Sequence, residues 1–290
     1  MEDEKNSSRI KILCPAKLNL FLKVLSRRGD GYHEIFSLMQ PVSLYDEVSL
    51  EVEEGSGITV SSDSSEIPPG PENLAYKAAE HFLEATGFRK SVSIHIGKNI
   101  PVGAGLGGGS SDAASVLLGL NSVLGAALDE PALMGIGARI GSDVPFFILG
   151  CPAVARGRGE VLERVKLPDL GYILINPGFQ VSTRWAYNNL TLTKGYEDNI
   201  LTYSEDSFRD IDRIKGLLSN DLEEVVIAKY PELSSLKKTL VENGACGSLM
   251  SGSGPTVFGV FGSGEEAERA FGNLRDKLKR GYSAFLANGL

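Results

Sequence analysis

The chain has little cysteine, little histidine, no long apolar run and no excess of positive charge. Each shortage removes a class of function. Its three cysteines, Cys14, Cys151 and Cys246, are odd in number and scattered. That spacing fits neither a disulfide framework nor a zinc pattern and reads as buried thiols in a reducing cytoplasm. Three dispersed histidines leave no His/Cys metal cluster. No uninterrupted apolar stretch approaches the roughly 18 residues of a membrane span, and the acidic start Met1-Glu2-Asp3-Glu4 is unlike a signal peptide. A formal net charge of −8 argues against general nucleic-acid binding. The expectation is a cytoplasmic globular protein without a membrane or nucleic-acid partner, equally a monomer or a weak homodimer. Its 290 residues suffice for one large domain or two modest ones.

Glycine, by contrast, is plentiful, and it concentrates in one place. Pro101-Val102-Gly103-Ala104-Gly105-Leu106-Gly107-Gly108-Gly109-Ser110-Ser111-Asp112 holds five glycines within seven residues. Upstream, Val92 to Ile96 alternates like a strand. Downstream, Ala113, Ala114, Val116, Leu117, Leu120 and Leu124 share one side of a helical period. A strand therefore leads into a glycine loop that opens a helix. Glycines in such number are unfavourable unless the backbone takes positive φ or lies close against something. At a helix N-terminus that something is usually an anion, met by free N–H groups, the helix dipole and the hydroxyls of Ser110 and Ser111. A tight turn with a capping Ser or Asp is the plainer reading, but a cap needs one or two such residues. Gly103, Gly105 and Gly108 also spell a dinucleotide fingerprint, yet no strand-end acid follows about 20 residues on. No Gly-Lys-Ser/Thr ends the loop, so it is not a Walker A loop either.

Along the rest of the chain, residues 1–8 read as a disordered tail. Ile10 to Leu13 begins a strand. After the break at Pro15 a second piece puts Lys17, Asn19, Phe21 and Lys23 on one face and Leu18, Leu20, Leu22 and Val24 on the other. Lys23 reads as solvent-facing, whereas Lys17 and Asn19 sit where a strand ends and loops gather function. Arg27 to Glu34 is a polar turn presenting Tyr32 and His33, either a solvated hairpin or a functional loop. Strands are expected at 48–53 and 58–60, and helices at 73–83 and 131–139. Asp143 precedes an apolar run, and alone it reads as a helix cap. Proline and charge at 166–169 set an expected boundary between domains 9–166 and 167–290. Beyond it come a strand at 172–175, mostly helix over 182–243 with 191–207 unassigned, and a second glycine loop at 248–255. A strand at 256–261 and a helix at 264–279 follow, the helix burying Ala267, Ala270, Phe271, Leu274 and Leu278. The fold class is α+β in two parts.

Three blocks stand out in order: Pro15-Ala16-Lys17-Leu18-Asn19-Leu20, the loop Pro101 to Ser111, and Met250-Ser251-Gly252-Ser253-Gly254-Pro255. Together they resemble the GHMP kinases, the galactose, homoserine, mevalonate and phosphomevalonate kinases. Gly29-Asp30-Gly31-Tyr32-His33-Glu34 and Gly141-Ser142-Asp143-Val144-Pro145-Phe146-Phe147 point, within that family, to a branch acting on a cytidine diphosphate substrate. The resemblance implies a ribosomal-protein-S5-like N-terminal domain and a ferredoxin-like C-terminal domain. It also implies ATP as phosphoryl donor, with Mg²⁺ bridging its phosphates and no metal-ligand residue assigned. By the same resemblance Asp143 matches the catalytic base and Lys17 the lysine beside it. The glycine loop matches the element that wraps the phosphates, with Asn73 and Lys98 near the adenine. Asn19, Tyr32, His33, Thr183 and Tyr187 match the cytidine substrate site, with Tyr32 and Tyr187 in a position to sandwich the base. Ser142, Arg158 and Ser251 depart from the residues frequent at those places.

Overall fold

The computed structural model describes residues 8–192, 203, 205–275 and 278–290. The chain divides into two compact units. The first comprises the described part of Met1–Ala16 with Tyr45–Val102 and Gly107–Gly150; the second comprises Lys17–Leu44, Gly103–Leu106 and Cys151–Leu290. Strands β1 (Ser8–Arg27) and β2 (His33–Glu54), of 20 and 22 residues, contribute a part to each. That length is well beyond the usual 3–10. The expected boundary at 166–169 falls inside the second unit.

In the first unit, β3 (Gly57–Ser62) pairs parallel with β4 (Lys90–Gly97) through the crossover helix α1 (Leu74–Thr86), and β4 pairs antiparallel with β2 from Glu47↔Gly97 to Glu54↔Lys90. The order there is β3-β4-β2-β1. Period-two alternation buries Val48, Leu50, Val52, Val92, Ile94 and Ile96. The helical side of the core is Ala75, Ala78, Ala79 and Phe82 of α1, with Ala113, Ala114, Val116, Leu117 and Leu120 of α2 (Gly108–Leu124). Gly119 marks how closely α2 lies on the strands, since a Cβ there would press on the side chains of Leu50 and Ile12. Asn73 caps α1 by accepting from the Ala75 amide at 2.8 Å, and Gly87 ends it at φ 74°. Helices α3 (Glu130–Ile140) and α4 (Val144–Leu149) complete this unit, α3 capped by Asp129 with a proline in its first turn.

In the second unit, β5 (Ala153–Gly157) pairs with β2 from Ile35↔Gly157 to Met39↔Ala153, and β6 (Val161–Arg164) pairs with β5. A separate antiparallel sheet holds β7 (Gly171–Asn176), β9 (Gly247–Met250), β10 (Val257–Phe261) and β11 (Ser283–Asn288) in the order β11-β7-β10-β9. Helices α5 (Thr183–Asn189), α6 (Ile211–Leu217), α7 (Asp221–Lys229) and α8 (Glu232–Glu242) lie between its first and second strands, and α9 (Gly264–Leu274) between its third and fourth. Counted along the chain this is the 4-1-3-2 order of a ferredoxin-like split βαβ arrangement. Its core includes Ile173, Ile175, Leu233, Leu236, Leu240, Val257, Phe261, Ala267 and Leu274.

Several expectations need correcting. Pro15 does not break β1. The two-residue strand β8 (Ser219–Asn220) pairs with β1 only at Phe21 and Leu22, so at Pro15 no β8 partner needs the missing N–H. Lys23 is half-buried and bonds Asp221 at 2.8 Å, while that carboxylate also accepts from the Val24 amide. Helix α9 ends at Leu274 with Arg275 as its cap, and of the remaining expected stretch residues 276 and 277 lie outside the described residues. The expected tail lies outside the described residues except for Ser8, which opens β1. Of the unassigned stretch 191–207, residues 193–202 and 204 also lie outside them. Among the described residues no helix is long and apolar enough to cross a membrane.

Phe82, on the buried face of α1, is fully enclosed. Phe82→Ala is expected to lower unfolding free energy by about 3–5 kcal/mol in urea melts. A loss below 1 kcal/mol would show that this core is not close-packed.

Candidate active site

β1 carries Lys17 and Asn19 into the interior of the second unit, each only 4% exposed. A buried ammonium needs partners. Lys17 Nζ donates to Asn19 Oδ1, Asn19 Nδ2 donates to Ser37 Oγ at 2.8 Å, and Ser37 donates to the Phe21 carbonyl at 2.7 Å. This chain of bonds fixes both side chains along the strand. The Lys17 amide donates to the Leu106 carbonyl at 2.9 Å, which ties β1 to the middle of the glycine loop. From the other side Ser251 Oγ donates to the Gly105 carbonyl at 3.0 Å, and the Thr256 amide donates to the Ala104 carbonyl at 3.3 Å. Gly105 has φ 77°, and a Cβ on it would collide with the Ser251 carbonyl and the Gly254 amide. Gly252 has φ 55°, and its missing Cβ would stand 3.1 Å from both the Gly105 carbonyl and Lys17 Nζ. The three sequence blocks thus meet at one point. Asn220, which sequence reasoning missed, holds the third block: its Nδ2 donates to the carbonyls of Met250 at 2.8 Å and Gly252 at 2.7 Å. Its only sequence signal was a helix-capping Asn before Asp221.

In the first unit the loop runs into α2. Gly107 occupies the cap position at φ 73°, and no side chain caps the helix, so its first amides are not taken up by a capping group. Ser110 is half-buried, whereas Ser111 is enclosed and its Oγ has no hydrogen-bond partner. Lys98 donates to Asp46 Oδ2 and, at 3.2 Å, to Asp112 Oδ2. Burial pulls Lys98 down, but Asp112 and Asp46 together outweigh it and hold its pKa above the ordinary value. Burial pushes the Asp112 carboxyl up to about 7, against the opposing pull of Lys98. Asn73 is engaged as the cap of α1 and also donates to the Pro68 carbonyl at 2.8 Å. Asp143 stands at the cap position of α4 and is half-buried, but its side chain makes no capping hydrogen bond. The capping expected of a lone acid is therefore absent there.

The turn with Tyr32 and His33 is cross-braced within the second unit. Arg28 bonds Glu34 at 2.5 Å, Glu34 accepts from the Gly157 amide at 3.1 Å, and Asp30 accepts from the Tyr32 amide at 3.0 Å. Tyr187 pairs with His33, ring centroids 5.0 Å apart at 31°, while Tyr32 lies under the guanidinium of Arg158 at 4.8 Å. Tyr32 remains 52% exposed, open to a further stacking partner. Burial, then the charge of Arg27, lowers the His33 pKa, which favours a neutral imidazole at pH 7. Thr183 Oγ1 lies 2.9 Å from Ser253 Oγ.

Phosphoryl transfer asks chiefly for positioning and charge stabilisation, chemistry that a buried lysine and an uncapped, glycine-rich helix start can each supply. The chain matches the model of the GHMP kinases N terminal domain over residues 73–151 and that of the GHMP kinases C terminal over 202–280. It belongs to the GHMP kinase family and is an ATP-dependent kinase. Among its relatives, the 4-diphosphocytidyl-2-C-methyl-D-erythritol kinase of Syntrophotalea carbinolica is 48% identical, over 94% of this chain and 96% of that one. The enzyme of the same name from Geobacter sp. strain M21 is 47% identical, over 95% and 97%. A crystal structure of 4-(cytidine 5'-diphospho)-2C-methyl-D-erythritol kinase superposes with a TM-score of 0.79 at 38% identity, covering 97% of this chain and 99% of that one.

Gly105→Ala is expected to cost about 1–2 kcal/mol from positive φ alone, and more from the backbone collision. Urea melts and ATP turnover should both fall. If neither changes, Gly105 is not what lets the three segments meet.

Proposed function

We propose that this kinase transfers the γ-phosphoryl group of ATP to the 2-hydroxyl of 4-diphosphocytidyl-2-C-methyl-D-erythritol, within the non-mevalonate route to isoprenoid precursors. The observation that carries this reading is the meeting of the buried Lys17–Asn19 pair with the main chain of Gly252, which itself lies against the Gly105 carbonyl. The similarity of the whole chain to kinases of that name supports the choice of substrate.

Phosphoryl transfer asks for positioning and charge stabilisation more than covalent chemistry. Amides and dipole along Gly103 to Ser111 hold the phosphates, with Pro101 and Val102 shaping the entry. Asn73 and Lys98 border the adenine through main chain and aliphatic carbons, since their polar ends are bonded internally. Asp143 accepts the proton of the attacking hydroxyl as general base. Lys17 supplies fixed positive charge as negative charge shifts during transfer. Tyr32 and Tyr187 offer aromatic faces to the cytosine, each stack contributing about 1–3 kcal/mol by analogy with single-strand binders. Neutral His33 reads the base edge, and Asn19 and Thr183 complete the polar contacts. Mg²⁺, when bound, would neutralise negative charge on the transferring phosphates. Among the described residues no group of three His, Cys, Asp or Glu can hold a metal. Asp112, the acid at the end of the loop, is buried on Lys98, so its carboxylate is not turned to the phosphates as a Mg²⁺ ligand.

The purified chain with ATP and the cytidine diphosphate alcohol is expected to release ADP, and with mevalonate or homoserine to release none. ADP formation from either of those instead contradicts the proposed substrate. Asp143→Asn should bind both ligands and lose turnover by about 10²–10⁴-fold. Unchanged turnover removes Asp143 as the base.

A further inference from the structure

The charges of a buried ion cluster beneath Gly108 have no part in the chemistry above, where Lys98 contributes only its main chain and carbons. Asp46 lies in β2, Lys98 just after β4, and Asp112 in the second turn of α2. Their side chains are almost wholly enclosed. Asp46 Oδ1 accepts from the amides of Asn99 at 2.7 Å and Ile100 at 2.8 Å, and its Oδ2 accepts from Lys98. The same ammonium reaches Asp112 Oδ2 at 3.2 Å. One cation therefore ties the residues that enter the loop to the helix turn in which the loop ends. Gly108 closes directly onto this cluster: a Cβ there would stand 3.1 Å from Asp46 Oδ2, Lys98 Nζ and Ile100 Cγ2. Three enclosed charges are unfavourable unless their geometry is held. Here two carboxylates share one ammonium, and Asp112 Oδ1 is left enclosed without a hydrogen-bond partner.

We infer that Asp112 is a positioning residue for the nucleotide. With Lys98 and Asp46 it sets the spacing of the loop's two ends, and through the backbone of α2 it aims the first amides of that helix, without itself touching ATP. This rests on the reading that the loop holds the ATP phosphates. The cluster is net −1 with both carboxylates ionised and neutral once one carries a proton. Burial places that change near neutrality for Asp112. Besides Lys98 and Asp46, the Cys14 thiol of β1 faces Asp112; burial first, then Asp112, pushes it up to about 12, so it stays uncharged. Helix α4, which packs on α2, carries no ionisable side chain. Above about pH 7 the additional negative charge beneath the loop opposes a polyphosphate.

The test compares wild type with Asp112→Asn from about pH 6 to about pH 8.5, reading KM for ATP, KM for the cytidine substrate, kcat and Tm. Titration of ATP itself is common to both proteins. The wild-type to Asp112→Asn ratio of KM for ATP is expected to rise about 3- to 10-fold across that range, while the ratio for the cytidine substrate stays constant. Superimposable profiles, or both KM values moving in step with Tm, overturn the inference. Wild-type turnover at the acid end tests the nucleotide reading separately. Should Asp112→Asn not fold, hydrogen exchange on the wild type decides. Protection of residues 108–114, corrected for intrinsic rate, should fall with pH more than that of 118–124, and an equal change overturns the inference.

Discussion

Main chain must approach main chain at a point where no side chain fits. Gly105 and Gly252, both at positive φ, let the middle of one glycine loop lie against another, and Gly252 lies against the buried end of Lys17. Residues 17, 105 and 252 are far apart in sequence, so nothing local would bring them together. Hydrogen bonds from Lys17 N, Ser251 Oγ and Thr256 N to consecutive carbonyls of the loop hold them. Each bond alone contributes about 1 kcal/mol. Their combined effect is to give the loop one conformation, which is what binding a polyphosphate through amides requires.

A chain of net charge −8 has to recruit phosphate locally. In the proposed reading it does so with neutral donors and the enclosed ammonium of Lys17, not with a basic surface. Lys17 is held by Asn19 within the second unit, and Lys98 by Asp46 and Asp112 within the first. An ammonium beside carboxylates keeps its proton, so Lys98 remains charged despite burial. Lys98 is thus neutralised by two enclosed carboxylates, while the Asn19 amide oxygen fixes the Lys17 ammonium along its strand.

Much of this could be read from the sequence. The strand, glycine loop and helix announced themselves by a change of period from 2 to 3.6 around a run of glycines, and the helices at 73–83 and 131–139 by the Gly87 that ends one and the Pro131 that opens the other. Family membership followed from three short blocks in order. What escaped was whatever depends on tertiary partners. Pro15 read as a break because a sequence does not show which strand edge is unpaired. Asp46 and Asn220 carried no motif, since a buried acid or amide is recognisable only by what surrounds it. The split of β1 and β2 between two units was invisible for the same reason, as each strand is continuous in pattern while its neighbours change.

A crystal structure of the chain with a non-hydrolysable ATP analogue and the cytidine diphosphate alcohol bears most directly on the central claim. The expected result has the β- and γ-phosphates within hydrogen-bond distance of amides between Gly103 and Ser111, and the substrate 2-hydroxyl within reach of Asp143. Phosphates bound elsewhere, with those amides facing only water, would contradict it.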